Sequence, residues 1–337
     1  MKAEQLVAAY GSPAYVYELG AVRDSHRALK QALPDPSRIY YSLKSNPHPS
    51  IVRQVIELGC HCEVCSIGEL QTVLDCGGDP QQVLYTGPGK SRKEIRFALS
   101  SGVTHFSVDS LQEISKVVAE AEAQQTPVQL VLRINPDRPV PGLGLTMTGG
   151  PSQFGIDASK ILLDPAEYAQ FPFADVIGYH IYMGTNITED DTLLKTFLTA
   201  VELAEELSEA LGIEPQILDL GGGFGHAFAK RGERLNFQAI RAPLVAELEK
   251  RFPRWREGAP LVAFESGRYL AAPSGYLLCT VEDVKRSKNL PFVILDAGIH
   301  HLGGMSGLGR VPRIGLEFLL PEQPERELIE NCQVVGP

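Results

Sequence analysis

The amino-acid sequence lacks the features that would place it in a membrane or on nucleic acid. No apolar run approaches the ~20 residues of a membrane-spanning helix, and the first residues, MKAEQLVAAYGSP, lack the long apolar segment of a secretion signal. Positive charge is not in excess either, since 31 lysines and arginines face 41 aspartates and glutamates, a net charge of −10 over 337 residues. We therefore expect a cytoplasmic protein with no nucleic-acid or membrane partner, in which a local site holds any anionic ligand.

Six cysteines are present, and four of them lie close together between Cys60 and Cys76. The C-x-C-x-x-C spacing of Cys60, Cys62 and Cys65 would allow a metal cluster. The run is apolar and strand-like, however, and no second pair of ligands accompanies it. We therefore expect buried, reduced thiols and no metal.

Short apolar, β-branched runs alternate with amphipathic stretches along most of the chain. The predicted strands are Ile39–Leu43, His61–Ser66, Val83–Gly87, His105–Asp109, Val128–Asn135, Val176–Gly184, Gln216–Gly222 and Leu261–Gly267. The predicted helices are Ser50–Leu58, Ile67–Cys76, Ser91–Ser101, Ser110–Gln124, Ala158–Phe171, Asp190–Leu211 and Phe237–Arg251. Such alternation predicts βαβ units and a parallel sheet.

The number of these units favours an α/β fold of the (β/α)8 TIM barrel type, because they extend over about 240 residues. The structural alternative is an open doubly wound sheet. That sheet would carry a glycine-rich fingerprint after its first strand. The first strand is followed instead by Lys44-Ser45-Asn46-Pro47.

The two ends of the chain have a different pattern. Ala14–Leu19 alternates like a β-strand, and further strand-like runs are Gly275–Glu282, Phe292–Ala297 and Cys332–Val335. We expect them to form a second, incomplete β-domain of residues 1–35 and 274–337, beside a barrel of residues 36–273.

Polar residues collect where the predicted barrel strands end, which is the end that carries the active site in such barrels. They are Lys44 after the first strand, Gly221, Gly222 and Gly223 after the seventh, and Glu265, Gly267 and Arg268 at the eighth. Consecutive glycine amides and an arginine can hold a phosphate, a lysine can form a Schiff base, and a carboxylate can pair with a pyridine nitrogen. Together these residues predict a pyridoxal 5'-phosphate site.

Nine stretches of sequence carry a resemblance to a known family. In chain order they are YYSLKSN, CEVCSIGEL, VLYTGPGKS, RINPD, SQFGID, GYHIYMGTN, ILDLGGGFG, FESGRYL and VILDAGIHH. With these motifs the chain resembles the fold-type III pyridoxal phosphate decarboxylases, which include diaminopimelate, ornithine and arginine decarboxylases. HIYMGT, ESGRYL and DAGIHH are most similar to the branch that decarboxylates a glutamyl group on an acyl carrier protein. The resemblance implies an alanine racemase-like barrel, pyridoxal phosphate, and an amino acid or an aminoacyl carrier protein as substrate.

The resemblance also implies roles for individual residues. Lys44 matches the Schiff-base lysine, Glu63 the acidic residue behind it (usually aspartate in the family), and Glu69 the glutamate of an S-x-x-E-L motif. The phosphate-binding positions are matched by Gly221, Gly222, Gly223 and Arg268. Glu265 matches the glutamate that keeps the pyridine nitrogen protonated. Alanine racemases pair that nitrogen with an arginine, so Glu265 favours decarboxylation over racemisation.

Two departures from the family concern contacts in the site. The histidine that usually stacks on the cofactor ring is replaced by Tyr182, so we expect either Tyr182 or His180, on the same strand face, to contact the ring. After Asp296 the chain has His300-His301-Leu302, where diaminopimelate enzymes carry Arg-Pro-x-Leu-Tyr. Asp296, His300 and His301 are therefore candidate substrate contacts, and diaminopimelate becomes a less favoured substrate.

The sequence ends at Gly336-Pro337, where the family continues with a Cys-x-x-x-Asp and a Gly-Ala-Tyr segment. In the family these segments complete an active site that is shared across a two-fold dimer. We therefore expect a homodimer, and a chain that is truncated, split or degenerate and decarboxylates poorly by itself. A diaminopimelate decarboxylase-like enzyme and a non-catalytic pyridoxal phosphate-binding subunit stay open as alternatives.

Overall fold

The computed structural model describes residues 2–138, 148–227, 234–302, 317–319 and 331–337. Contacts between Cα atoms divide the chain into two compact units. The first comprises the described residues of Leu19–His226 and Arg234–Pro273, and the second joins the N-terminal residues up to Glu18 to those from Ser274 onward. Residues 19–35, which we expected in the β-domain, lie with the first unit in this division.

Eight of the β-strands close into a parallel barrel in the first unit. The described strands are β1 (Ala14–Tyr17), β2 (Arg38–Ser42), β3 (His61–Val64), β4 (Val83–Tyr85), β5 (His105–Val108), β6 (Val128–Asn135), β7 (Ile156–Asp157), β8 (Ala174–His180), β9 (Ile217–Asp219), β10 (Leu261–Ser266), β11 (Gly275–Leu278), β12 (Val281–Ser287), β13 (Leu290–Leu295) and β14 (Gln333–Val335). The barrel order is β2-β3-β4-β5-β6-β8-β9-β10, and β10 pairs again with β2. The eight predicted strands and the (β/α)8 barrel are thereby confirmed.

Helices follow most of the barrel strands, as the sequence predicts. The described helices are α1 (Ala3–Tyr10), α2 (Leu19–Ala32), α3 (Pro49–Glu57), α4 (Ile67–Asp75), α5 (Arg92–Ser100), α6 (Leu111–Ala123), α7 (Ala158–Leu163), α8 (Ala166–Ala169), α9 (Asp190–Leu211), α10 (Arg241–Arg251) and α11 (Arg268–Ala271). One predicted helix is divided into α7 and α8 at Pro165, since proline has no amide hydrogen to continue the ladder. Helix α2 is not among the predicted helices, although Val22, His26 and Leu29 bury one helical face there.

The alternation of side chains along the barrel strands determines which residues face inward at the carboxyl end of the barrel. Six buried apolar side chains from six strands form one cluster, namely Tyr40, Leu84, Val131, Ile177, Ile217 and Ala263. Since β2 and β6 lie on opposite sides of the barrel, this cluster lies inside it. Asp219 and Glu265 follow two residues after Ile217 and Ala263, so they share the inward face one layer nearer the carboxyl end.

The second unit contains two small sheets. In one, β1 pairs antiparallel with β11, and in the other the order is β12-β13-β14. The predicted strand Gly275–Glu282 is therefore two strands, which separate at Thr280, where the amide donates to Asp296 Oδ1 at 2.9 Å. The other predicted strands of this unit are confirmed. No helix in the described part of the chain has the length and apolar content needed to cross a membrane.

Candidate active site

Lys44 lies just beyond the carboxyl end of β2, in a single 3-10 turn. Its Nζ donates to both carboxylate oxygens of Glu63 in β3, at 2.7 and 2.9 Å. The register of β2 and β3 places Ser42 opposite Glu63, so the two neighbouring strands bring these side chains together. The Glu63 side chain is 1% exposed, whereas half of the Lys44 side chain is exposed. The structure thus holds an accessible amine on a buried carboxylate.

The two groups set each other's charge state. Burial acts to raise the pKa of Glu63, but the Lys44 ammonium group and hydrogen bonds from Lys44, Ser42 and Thr86 lower it below its ordinary value. Burial acts to lower the pKa of Lys44, but Glu63 and Glu265 outweigh it and raise the pKa of the amine. The chain therefore holds a proton on Lys44 Nζ at neutral pH.

Glu265, Asp219 and His180 form a second cluster at the carboxyl ends of β10, β9 and β8. One nitrogen or oxygen atom of each lies within 4.8 Å of the others, and all three residues are buried. His180 Nδ1 shares a 2.8 Å hydrogen bond with Ser107 Oγ in β5. His180 Nε2 lies 3.3 Å from Glu265 Oε1, without the alignment of a hydrogen bond. Ser107 thus holds one nitrogen of His180, whereas the atoms that face one another within the cluster are not joined by hydrogen bonds.

Three buried atoms of this cluster have no hydrogen-bond partner among the described residues. They are Glu265 Oε1, His180 Nε2 and Asp219 Oδ2. The other Asp219 oxygen, Oδ1, accepts the amide hydrogen of Gly221 at 2.9 Å. A buried polar atom without a partner is unfavourable, so these atoms mark a place that a ligand with complementary groups would complete.

Burial dominates the titration of this cluster. Burial and the neighbouring Glu63 raise the pKa of Glu265 well above its ordinary value. Burial raises the pKa of Asp219 to about 7, against the hydrogen bond from the Gly221 amide. Burial and the Arg133 guanidinium lower the pKa of His180 well below its ordinary value, so the imidazole is neutral at neutral pH.

The glycine turn after β9 packs tightly against its neighbours. Gly221 and Gly223 have φ angles of +69° and +105°, which side-chain-bearing residues rarely adopt. A Cβ atom on Gly222 would lie 2.4 Å from the carbonyl oxygen of Glu265. The amides of Gly222 and Gly223 donate to no backbone or side-chain acceptor in the described part of the chain. Two amides therefore remain for an anion.

Gly267 and Arg268 lie at the adjoining end of β10. A Cβ atom on Gly267 would lie 2.7 Å from that of Ser45, so glycine allows the β10 end to approach the turn that carries Lys44. Arg268 is exposed at the start of α11. Burial lowers the pKa of His226, and Arg234 and Arg268 lower it further.

The structure separates the two residues considered for stacking on a cofactor ring. His180 is buried beneath the mouth and bound to Ser107. Tyr182 is partly exposed, and its ring lies over the glycine turn, since a Cβ atom on Gly222 would lie 3.5 Å from Tyr182 Cε2. Contact of either side chain with the cofactor remains a prediction, and the geometry favours Tyr182.

Asp296, His300 and His301 belong to the second unit. Asp296 accepts a hydrogen bond from the Thr280 amide, and His301 Nδ1 accepts one from the Gly298 amide at 3.2 Å. These bonds serve the local fold, and the proposed substrate contacts of the three side chains remain predictions.

Arg133 at the end of β6 is a charged residue near the cluster that the sequence analysis did not single out. Its guanidinium lies over the Phe154 ring at 4.5 Å, and its Nε is 3.8 Å from Asp109 Oδ1. The signal was a lone arginine inside the apolar run LVLRIN. Glu69, in contrast, has a local role, because it accepts the Cys65 amide hydrogen at 2.7 Å and ties the loop before α4.

Comparison with known proteins places the chain among pyridoxal enzymes. Residues 19–272 match the sequence model of the pyridoxal binding domain of pyridoxal-dependent decarboxylases. An L-glutamyl-[BtrI acyl-carrier protein] decarboxylase of Niallia circulans is 29% identical over 337 residues, covering 97% of this chain and 77% of that protein. A diaminopimelate decarboxylase of Pseudomonas aeruginosa is 31% identical over 299 residues, covering 87% of this chain and 69% of that protein. The structure of a Helicobacter pylori diaminopimelate decarboxylase complexed with L-lysine matches with a TM-score of 0.75 and 26% identity, covering 88% of this chain and 73% of that one.

Proposed function

This chain belongs to the pyridoxal-dependent decarboxylases, and we propose that its barrel mouth binds pyridoxal 5'-phosphate and removes CO2 from an amino acid or a carrier-bound aminoacyl group. One observation carries the assignment to these residues. The same mouth holds an exposed amine on a buried carboxylate, Lys44 on Glu63, and a second buried carboxylate, Glu265, with an oxygen that has no hydrogen-bond partner in the described part of the chain.

The residues present fit the three parts of this cofactor. Half of the Lys44 side chain is exposed, and its amine suits bonding to an aldehyde carbon. The Gly222 and Gly223 amides, together with the exposed Arg268 side chain, suit a phosphate group. The buried Glu265 carboxylate suits the N–H of a protonated pyridine nitrogen. Tyr182 would cover a face of the ring.

Each residue then has a definable task in the reaction. Bound pyridoxal phosphate supplies an electron sink for the electron pair left on the α-carbon when CO2 departs. Glu265 would hold a proton on the pyridine nitrogen, because a carboxylate at that atom stabilises its positive charge. Lys44 Nζ must lose its proton before it can act as a nucleophile. Because this contact lowers the pKa of Glu63 and raises that of Lys44, Glu63 holds the amine in position and does not take its proton.

For the substrate we favour a carrier-bound aminoacyl group. The support is the similarity to the Niallia circulans enzyme over 97% of this chain, together with the His300-His301 sequence where diaminopimelate enzymes carry an arginine. Diaminopimelate is the second candidate, because the Pseudomonas aeruginosa relative is 31% identical.

The test is CO2 release by the chain loaded with pyridoxal phosphate. Free L-glutamate, diaminopimelate and a glutamyl-loaded acyl carrier protein are offered separately, and Lys44→Ala serves as the inactive control. We expect CO2 release that is slow but above that of Lys44→Ala, and greatest from the carrier-bound substrate. Release from diaminopimelate alone would reassign the substrate. Retention of the cofactor without CO2 from any amino acid would reject decarboxylation and support a non-catalytic binding subunit.

We also propose that the chain forms a homodimer. The support is β12, which among the described strands is an edge strand of its sheet. Its residues are all exposed, including Val281 at 52% and Val284 at 49%. Exposed apolar side chains on an edge strand suit a protein interface. Sedimentation equilibrium at micromolar concentration should give twice the chain mass, and a monomer at all concentrations would refute the proposal.

A further inference from the structure

His180 lies between a fixed hydroxyl group and the Glu265 carboxylate. Its Nδ1 is held by Ser107 Oγ at 2.8 Å, and its Nε2 faces Glu265 Oε1 at 3.3 Å. Both histidine and glutamate side chains are almost fully buried, with exposures of 1% and 3%. Ser107 is itself fully buried in β5. The imidazole is therefore fixed from the side opposite to Glu265.

The facing groups favour one tautomer. Because Glu265 Oε1 is an acceptor when ionised, a hydrogen on Nε2 would satisfy both atoms, and the Ser107 hydroxyl would then donate to Nδ1. Neither Nε2 nor Oε1 has another hydrogen-bond partner among the described residues. The small adjustment needed to align them would leave the second Glu265 oxygen available to a ligand.

A neutral N–H donor differs from a cation at this position. The charged groups that act on His180 come from several neighbouring elements and are Arg133, Glu63, Lys44 and Lys90, while Asp219 completes the cluster. Arg133 and the burial of the ring keep the imidazole neutral. A neutral donor can orient the Glu265 carboxylate without cancelling the negative charge that a protonated ring nitrogen needs.

We propose that His180 is a positioning residue, which Ser107 fixes so that its Nε2–H orients the Glu265 carboxylate toward the pyridine nitrogen of the cofactor. This inference rests on the proposed function, because it takes Glu265 as the partner of that nitrogen. It assigns His180 a role through Glu265 in place of stacking on the ring.

The test compares two ligands that differ at one atom. Dissociation constants are measured for pyridoxal phosphate and for an analogue in which a C–H group replaces the ring nitrogen. The parent chain should prefer pyridoxal phosphate. His180→Leu should reduce that preference about tenfold, the size of one hydrogen bond to a charged group. His180→Gln, which can place a neutral N–H near the position of Nε2, should retain most of the preference.

Controls separate this role from a structural one. Ser107→Ala removes only the atom that holds Nδ1, so it should reduce the preference in the same direction, and it keeps the inference testable if His180→Leu does not fold. His26→Leu, a buried histidine of α2, should leave the preference unchanged. Equal weakening of both ligands by His180→Leu and by Ser107→Ala would overturn the inference.

The same measurement distinguishes failure of the inference from failure of the proposed function. A parent chain that prefers pyridoxal phosphate, with His180→Leu showing the same preference, would reject only the role of His180. A parent chain that binds both ligands equally would reject Glu265 as the partner of the ring nitrogen, and with it the proposed site.

Discussion

The two buried carboxylates of the barrel mouth differ in how far the chain itself satisfies them. Glu63 accepts hydrogen bonds from Lys44 and Thr86, and its pKa is lowered. Glu265 is buried to a similar extent, yet one of its oxygens has no hydrogen-bond partner in the described residues, and its pKa is raised. The comparison indicates that Glu63 has its hydrogen-bond partners before a ligand binds, whereas Glu265 gains a hydrogen-bond partner from the ligand.

The largest expected effect concerns Lys44, the amine that is hydrogen-bonded to Glu63. Lys44→Ala should abolish covalent attachment of pyridoxal phosphate, because no other described amine is both exposed and anchored on a buried carboxylate at these strand ends. Borohydride reduction followed by peptide mass spectrometry measures the adduct. Lys93→Ala, on the exposed face of α5, is the matched control and should label like the parent. An unchanged adduct in Lys44→Ala, or one that maps to Lys90, would show that the amine is misassigned.

The next effect concerns Glu265, the carboxylate that gains its hydrogen-bond partner from the ligand. Glu265→Gln should keep the cofactor at saturating concentration but slow CO2 release by about 10²-fold, the loss expected when one preorganised electrostatic partner is removed. The amide cannot stabilise a protonated ring nitrogen as a carboxylate does. Turnover at saturating cofactor is the measurement, and a rate within a factor of two of the parent would remove Glu265 from the mechanism.

Arg268→Ala should act on binding more than on turnover. A hydrogen bond to a charged group is worth ~1.5–3 kcal/mol, so cofactor affinity should fall about tenfold or more. Titration followed by visible absorbance gives the dissociation constant, and Arg254→Ala, on the exposed surface, serves as control. Parent-like affinity in Arg268→Ala would place the phosphate elsewhere.

The smallest effect compares the two carboxylates directly, in the chain without cofactor. Glu63→Gln should lower the free energy of unfolding by about 1 kcal/mol, since Lys44 loses its partner but stays half exposed. Glu265→Gln should raise the free energy of unfolding by about 1 kcal/mol near pH 8, since it removes a buried carboxylate that lacks a partner. Urea unfolding measures both, and changes of the same sign would contradict the comparison.

The pH dependence of this pair follows from the two pKa directions. The folded-state pKa of Glu265 is raised, so the folded chain binds more protons than the unfolded chain, and its stability falls as pH rises above the unfolded value. The advantage of Glu265→Gln, measured by urea unfolding, should therefore grow as pH rises above the ordinary pKa of a glutamate. The folded-state pKa of Glu63 is lowered, so its contribution is present above the unfolded value and is lost as pH falls.

The fold was largely predictable, because the barrel strands are apolar runs separated by stretches with helical periodicity. All eight strand positions follow from that pattern, and so do Lys44 and Glu265, which stand directly at strand ends. Helix α2 has the same amphipathic pattern but is absent from the predicted helices, because the residues before the first barrel strand are there assigned to the β-domain. The single strand expected at Gly275–Glu282 was wrong because a backbone break at Thr280 has no compositional signal.

The supporting residues of the site were not predictable in the same way. Ser107 and His180 are 73 residues apart, and Thr86 and Glu63 are 23 apart. Their contacts depend on which strands are neighbours across the barrel and on which side chains face inward. A serine in HFSV or a threonine after VLY carries no chemical signal of its own, so only the closed barrel shows that they hold His180 and Glu63.

The protonation state of the cofactor's ring nitrogen tests the central claim most directly, because it needs no knowledge of the substrate. Pyridoxal phosphate labelled with nitrogen-15 in the ring is bound to the parent chain and to Glu265→Gln, and the nitrogen chemical shift is recorded by NMR. We predict a protonated nitrogen in the parent chain and an unprotonated nitrogen in Glu265→Gln. The same protonation state in both would contradict the claim that Glu265 is the hydrogen-bond partner of the cofactor's ring nitrogen.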